Sequence, residues 1–480
     1  MAGIGFELKT QFEVKGLIHI IKASFYSTLI TAGPTLLTIL MMFILQELLY
    51  IWGMTILQRE LFMAAVMYSF IFSMIITGGF SITLSRYVSD KIYENVTEDI
   101  LPSLKGAITV CMIIGGIIGA LFYLMSPLTL YFKLSAYILF MELNILWIQM
   151  VYVSALKDYK KILKGFVIGI LTIFFFTYLL IKILGYKTAA AVLISMDIGF
   201  LMIIMIFFEC IHDYFNNKSG NIFAFLKYFD KHPALFFIGF FYALGLYLHN
   251  MLFWISKVGI TVEKTYVFSP MYDVPSLWGF LTTIPTVVIF TVLCETSIYE
   301  KYKAYYRNIC KEGRFDAVIE KQNEMKETIS LSMKRIMEIQ TIFTVIFLII
   351  GLNLIPVLNP KYVTIGIFST FVVGYYNFII MFVFLTILLY FDDKKGSLIL
   401  VLLFSLSNIA FTQETILMGQ KYYGLGFASS CFISLIFGFA RLDYILKNIS
   451  YFTFCSQPIT SDYNKRFFTR LSTKLSETLK

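Results

Sequence analysis

Residues 106–125 read GAITVCMIIGGIIGALFYLM, twenty consecutive residues without a charge. At 1.5 Å of rise per residue such a helix is about 30 Å long, the hydrocarbon thickness of a bilayer. A soluble helix of that length needs a polar face, and this stretch has none. Gly115 and Gly119, four residues apart, leave room for a neighbouring helix to come close. The stretch predicts a membrane-spanning helix.

The pattern recurs on both sides of it. Runs at 24–50, 61–84, 106–132, 134–156, 165–184, 188–211, 234–256, 276–298, 336–358, 362–390, 396–417 and 420–440 are each long and apolar enough to span. Short punctuation such as Ser126-Pro127 or Gly185-Tyr186-Lys187 divides the tighter pairs. Of the 480 residues 58% are hydrophobic and 14% charged, against about 25% charged in a soluble domain. A soluble globule is excluded.

Lys and Arg are retained on the cytoplasmic side of short loops. With the amino terminus placed inside, 31 of the 39 fall in inside segments, and the outside set is Arg59, Lys133, Lys182, Lys187, Lys257, Lys264, Lys361 and Lys421. The bias predicts an all-α integral membrane protein of about twelve transmembrane helices in two six-helix lobes, with both termini cytoplasmic. The net charge of +9 is then a property of loops beside an anionic leaflet and needs no nucleic-acid partner. None of the six cysteines falls in an outside loop, so no disulfide framework is implied.

The domain reading follows from the spans. Residues 1–23, mixing Phe12, Leu17, Ile20 and Ile21 with Lys9, Lys15 and Lys22, suit a cytoplasmic interfacial segment. An N-terminal lobe covers 24–215, an inter-lobe linker 216–233, and a C-terminal lobe 234–445 with a cytoplasmic connector at 299–335; a basic tail occupies 446–480. A path between two such bundles is a common transporter plan. No GxxxxGK[ST], HExxH or nucleophile-elbow motif is present, and no loop is long enough for a catalytic domain. The reading is a non-enzyme with no catalytic residue, metal or cofactor.

Ionisable groups in hydrocarbon cost about 2.5 to 3.5 kcal/mol on insertion scales, so they mark partners, wet cavities or ion paths. Glu142 in the fourth span and Asp197 in the sixth are central. Gln149, seven residues after Glu142, shares its helix face, and Asn144 stands nearby. With His249 and Asn250 in the seventh span and Asn377 in the tenth, they are candidates for a substrate path or ion coupling; Asn408 in the eleventh is a lesser one. Interhelical hydrogen bonding is the plainer use of each. Pro34 and Pro285 interrupt the first and eighth spans. Tyr242, Tyr247, Trp254, Tyr272 and Trp278 could stack on sugar rings or anchor at the interface.

The opening Met1-Ala2-Gly3-Ile4-Gly5-Phe6-Glu7-Leu8 resembles the start of the PelG family, as do Ser85–Tyr93, Gly245–Trp254 and Glu295–Tyr302. The resemblance implies the multidrug/oligosaccharidyl-lipid/polysaccharide exporter superfamily, and export of an amino-sugar-rich, Pel-type exopolysaccharide of biofilms across the bacterial cytoplasmic membrane. It also implies partners: the polysaccharide, a cytosolic glycosyltransferase and a membrane cyclic-di-GMP receptor complex. Arg86, Asp90, Glu295, Tyr299 and Glu300 match the family-like stretches near cytoplasmic helix ends, as candidates for a gate or a partner contact. A lipid-linked oligosaccharide flippase, a cation-coupled multidrug antiporter and a non-transporting synthase scaffold are the alternatives.

Overall fold

The computed structural model describes residues 32–156, 158–215, 220–310, 313–358, 364–455 and 466–478. The interfacial segment 1–23, the opening motif, the start of the first span and Lys361 lie outside the described residues. Twelve described helices are long and apolar enough to cross a membrane, the number expected from sequence.

In chain order the helices are α1 (Gly33–Ile51), α2 (Ile56–Tyr93), α3 (Ile100–Leu124), α4 (Leu130–Leu156), α5 (Tyr159–Thr177, continued by a π turn to Ile183), α6 (Ala189–Tyr214), the short α7 (Leu226–Lys231) and α8 (Pro233–Trp254). A hairpin of β1 (Ile260–Val262) and β2 (Tyr266–Phe268) follows. Then come α9 (Pro270–Leu281), α10 (Ile284–Leu293), α11 (Tyr299–Cys310), α12 (Phe315–Leu358), α13 (Ile365–Tyr390), α14 (Lys394–Met418), α15 (Leu425–Lys447), α16 (Ile449–Phe454) and α17 (Phe467–Thr478). The ends are set by local chemistry. Thr55, Asp158, Thr188 and Asp393 each accept a first-turn N–H as caps of α2, α5, α6 and α14. The third span stops at Leu124, so residues 126–132, expected inside it, form the turn and the start of α4. Pro34 stands in the first turn of α1, where a missing N–H costs nothing.

By its contacts the chain forms two compact units, Pro34–Ser269 with Pro458–Lys480, and Met1–Gly33 with Pro270–Gln457. This corrects the expected lobe boundary, because α8 packs with the helices of the first half. The reason is a backbone-to-backbone approach to α2: a Cβ on Gly239 would stand 2.1 Å from the Gly78 carbonyl oxygen. Lipid supplies no hydrophobic drive between helices, so small residues that let backbones meet decide which helices pair. The hairpin adds to this. Tyr68 Oη of α2 donates to the Val267 carbonyl at 2.7 Å and accepts from Val267 N at 3.0 Å, and the Tyr68 ring stacks on Trp254 with centroids 4.9 Å apart.

Contacts at the two ends of this unit follow the parity of the crossings. At one end Tyr228 Oη donates to Asp90 Oδ2 at 3.1 Å and Asn221 N to Asp99 Oδ1 at 3.0 Å. At the other, Ala189 N donates to Gln58 Oε1 at 2.7 Å, and Ser126 Oγ lies 2.8 Å from Thr265 Oγ1. The first end carries the loops counted as inside, and we call it the basic end. The tail is part of it: α17 docks on α7.

In the second unit the eighth span is broken. A turn at Thr282–Thr283 separates α9 from α10, with Pro285 at the start of α10. Gln340 of α12 offsets the broken ladder, its Nε2 donating to the Thr282 carbonyl at 3.3 Å while its Oε1 accepts from Thr286 Oγ1. Thr282, Thr286 and Gln340 are all buried. With 44 residues, α12 is about 66 Å long, twice what a bilayer needs. Its leading half packs with α11, through Met325, Ile329 and Tyr305. Arg441 of α15 makes a two-pronged ion pair with the buried Asp393, at 2.7 and 2.9 Å.

Candidate functional site

The sixth and fourth spans build the site. Ser135 Oγ of α4 donates to Asp197 Oδ2 of α6 at 2.9 Å, and Gln149 Nε2 of α4 donates to the Ile204 carbonyl of α6 at 3.1 Å. Passing from Ser135 to Gln149 along α4 therefore passes from Asp197 to Ile204 along α6, so the two helices run parallel. Glu142 lies between these two contacts on α4, seven residues from each of Ser135 and Gln149 and so on the same helix face. The two carboxyls are near enough to interact electrostatically, and their residues are 7% and 9% exposed.

Their hydrogen-bonding is incomplete. Glu142 Oε2, Asp197 Oδ1 and Gln149 Oε1 are buried and find no hydrogen-bond partner among the described residues. No Lys or Arg stands within seven residues of either acid on its own helix. Two buried carboxylates in hydrocarbon pay desolvation and repel each other, and the one hydrogen bond donated to the pair among the described residues comes from Ser135 Oγ. Among the described residues no group of three or more His, Cys, Asp or Glu is placed to hold a metal ion. Beside the site, Tyr123 Oη of α3 accepts from Tyr266 Oη of β2 at 3.1 Å.

Asn144 faces elsewhere. Its Nδ2 donates to the Phe140 carbonyl at 2.7 Å, and it lies against Gly115 of α3, as the glycine spacing there suggested. His249 and Asn250 are buried on α8 in the same unit. Asn377 is half-buried on α13 and belongs to the second unit with Asn408, whose Oδ1 accepts from Thr412 Oγ1 at 2.9 Å. Two of the aromatic candidates have their faces occupied: Trp254 lies on Tyr68, and the buried Tyr272 packs edge-on to Phe371.

The motif acids divide between the units. Arg86 and Asp90 pair within α2, Nε to Oδ1 at 3.1 Å. Asp90 also takes the hydrogen bond from Tyr228; burial and then this carboxylate push the Tyr228 phenol above the ordinary tyrosine range. Glu295 sits half-buried in a π turn, Cys294–Ile298, at the end of α10, and Tyr299 and Glu300 open α11 with exposed side chains. Such turns concentrate at functional sites. Sequence reasoning missed Ser135, Tyr123 and Gln340, because lone hydroxyls and amides are ordinary in spanning helices.

The arrangement of twelve spans defines a class. A transporter of the MATE family and MOP superfamily, in an outward-facing conformation, is similar with a TM-score of 0.57 at 10% identity, over 88% of this chain and 96% of that one. A MOP superfamily transporter from Pyrococcus furiosus gives 0.56 at 11%, over 88% and 96%. The MATE transporter ClbM in complex with Rb+ gives 0.51 at 13%, over 89% and 97%. No curated protein sequence matches the chain. The fold is MATE-like. Over residues 1–454 the sequence matches PelG, described as an exopolysaccharide exporter (EPS-E), and the chain belongs to that family.

Proposed function

We propose that this multi-pass protein exports an amino-sugar-rich, Pel-type exopolysaccharide across the bacterial cytoplasmic membrane, with cation or proton exchange at Glu142 and Asp197 supplying the drive. Family membership supports the polymer class. The observation that carries the coupling is the pair of buried carboxyls, with orphaned oxygens and a single hydroxyl donor, Ser135. Alkali-cation binding is recorded for one transporter of similar fold, the ClbM complex with Rb+. The basic end is read as cytoplasmic on the Lys and Arg count, which sets both termini inside. Arg86, Asp90, Glu295, Tyr299 and Glu300 then face the compartment of a cytosolic glycosyltransferase and a cyclic-di-GMP receptor complex, the partners this reading expects.

The test is secreted polysaccharide from cells lacking the chain, with and without the intact gene, at matched membrane abundance. Loss and rescue support export; unchanged secretion with raised drug sensitivity replaces it by the cation-coupled antiporter that the fold relatives favour. An uncoupler that dissipates the ion gradient should stop export within minutes in rescued cells.

A further inference from the structure

We propose that Glu47 and Arg59, which flank Tyr50, hold the zwitterionic headgroup of an ethanolamine phospholipid at the end of the first unit away from the basic end. The side chains of that end mark it as a membrane boundary. On α1, Leu40, Ile44, Glu47 and Ile51 recur at helical spacing and are all exposed, so one stripe of this spanning helix is apolar until its last turns and faces hydrocarbon. Where the stripe ends, Tyr50, Tyr178 and Tyr186 are exposed and Trp52 meets Tyr178 edge-on at 5.9 Å, a belt of rings of the kind that settles at headgroup level.

Two opposite charges stand unpaired in this belt. The Arg59 guanidinium lies over the Tyr50 ring, its Cζ 5.1 Å from the centroid, and its buried Nε has no hydrogen-bond partner among the described residues. Glu47, three residues before Tyr50 on α1, is beside the same ring, with about 5 to 6 Å between Cβ atoms at that spacing. The other charges about the α1–α2 and α5–α6 turns are Glu60, Lys182 and Lys187; Lys187 is placed there by its Nζ, which a Cβ on Gly53 would meet at 3.3 Å. Among the described residues none of these five makes an ion pair. One ligand carries the complement of both Glu47 and Arg59. Arg59, its face stacked, keeps the edge of its fork for a phosphate, and Glu47 can accept from a primary ammonium, which has three N–H donors. A choline headgroup has the same phosphate and net charge but no N–H to give. Phosphatidylglycerol offers the phosphate and leaves the acid unmatched. The inference is independent of the transported substrate and of which leaflet the site faces.

The test is lipid binding to the full-length protein by native mass spectrometry, with dioleoyl phosphatidylethanolamine, phosphatidylcholine and phosphatidylglycerol in separate titrations. Phosphatidylethanolamine should bind about 10-fold more tightly than phosphatidylcholine, the low end for one hydrogen bond to a charged group. Glu47→Gln should bring that preference below about 3-fold without weakening phosphatidylcholine. Arg59→Gln should weaken all three lipids alike, because all share the phosphate, while Glu60→Gln should leave their order unchanged. Equal binding of the ethanolamine and choline lipids overturns the proposal, as does a preference that survives Glu47→Gln. Phosphatidylglycerol in first place also overturns it, since the site is then a plain cationic patch. So does displacement of phosphatidylethanolamine by inorganic phosphate, which assigns Arg59 to a soluble anion.

Discussion

Replacing Asp197 by Asn separates a coupling acid from a structural one. The amide keeps an oxygen for Ser135 Oγ, which now donates to the carboxylate at 2.9 Å, so the local hydrogen bond survives. What disappears is one of two buried charges, each costing about 2.5 to 3.5 kcal/mol at a helix centre. The variant should therefore be as stable as the parent or more so, by up to about 3 kcal/mol. Transport should move the other way. A charge that crosses with the exchange draws about 2.3 kcal/mol from every 100 mV of membrane potential, or roughly a 50-fold ratio. Losing one coupled charge at that potential should cut the attainable export ratio by about 50-fold. The assay pairs secreted polysaccharide at matched membrane abundance with the melting temperature of purified protein. Export within twofold of the parent by both Asp197→Asn and Glu142→Gln would refute the coupling reading. A joint fall in stability and export would make the acids structural.

Gly239→Leu should abolish folded protein, since even a Cβ would stand 2.1 Å from the Gly78 carbonyl. Gly366→Ala, with nothing within 4 Å, should leave size-exclusion profiles unchanged. Asp393→Asn breaks the two-pronged pair with Arg441. It should destabilise by about 2 to 3 kcal/mol, less than a fully buried pair because Arg441 is partly exposed, read as a lower melting temperature. Gln340→Leu uncovers the Thr282 carbonyl and should cost about 1 to 3 kcal/mol, whereas Gln340→Glu, which keeps an acceptor for Thr286 but not the donor, should be no better.

The spans were legible because hydrocarbon tolerates so few sequences: an uncharged run such as 106–125 has no other stable home. The acids at Glu142 and Asp197 were legible for the same reason. The pairing of their helices was not, since it depends on Ser135 reaching Asp197 and Gln149 reaching Ile204 across two helices that sequence cannot set in register. Span counting opened the second lobe at 234, blind to the contact of Gly239 with Gly78, because a glycine facing lipid and one facing a backbone read alike. Pro285 hinted at the broken eighth span, but not at the Gln340 side chain that closes it.

The hold of Asp230 on Thr469, which docks α17 on α7, has a consequence for biosynthesis. Its partners are 239 residues apart, so at about 5 to 20 residues per second the ribosome needs roughly 12 to 48 s to supply the second after the first. Throughout that interval the earlier-made unit sits in the membrane with Asp230 and the Phe223 carbonyl still awaiting their partners. A nascent chain stalled anywhere in the second unit would leave that face open to quality-control proteases.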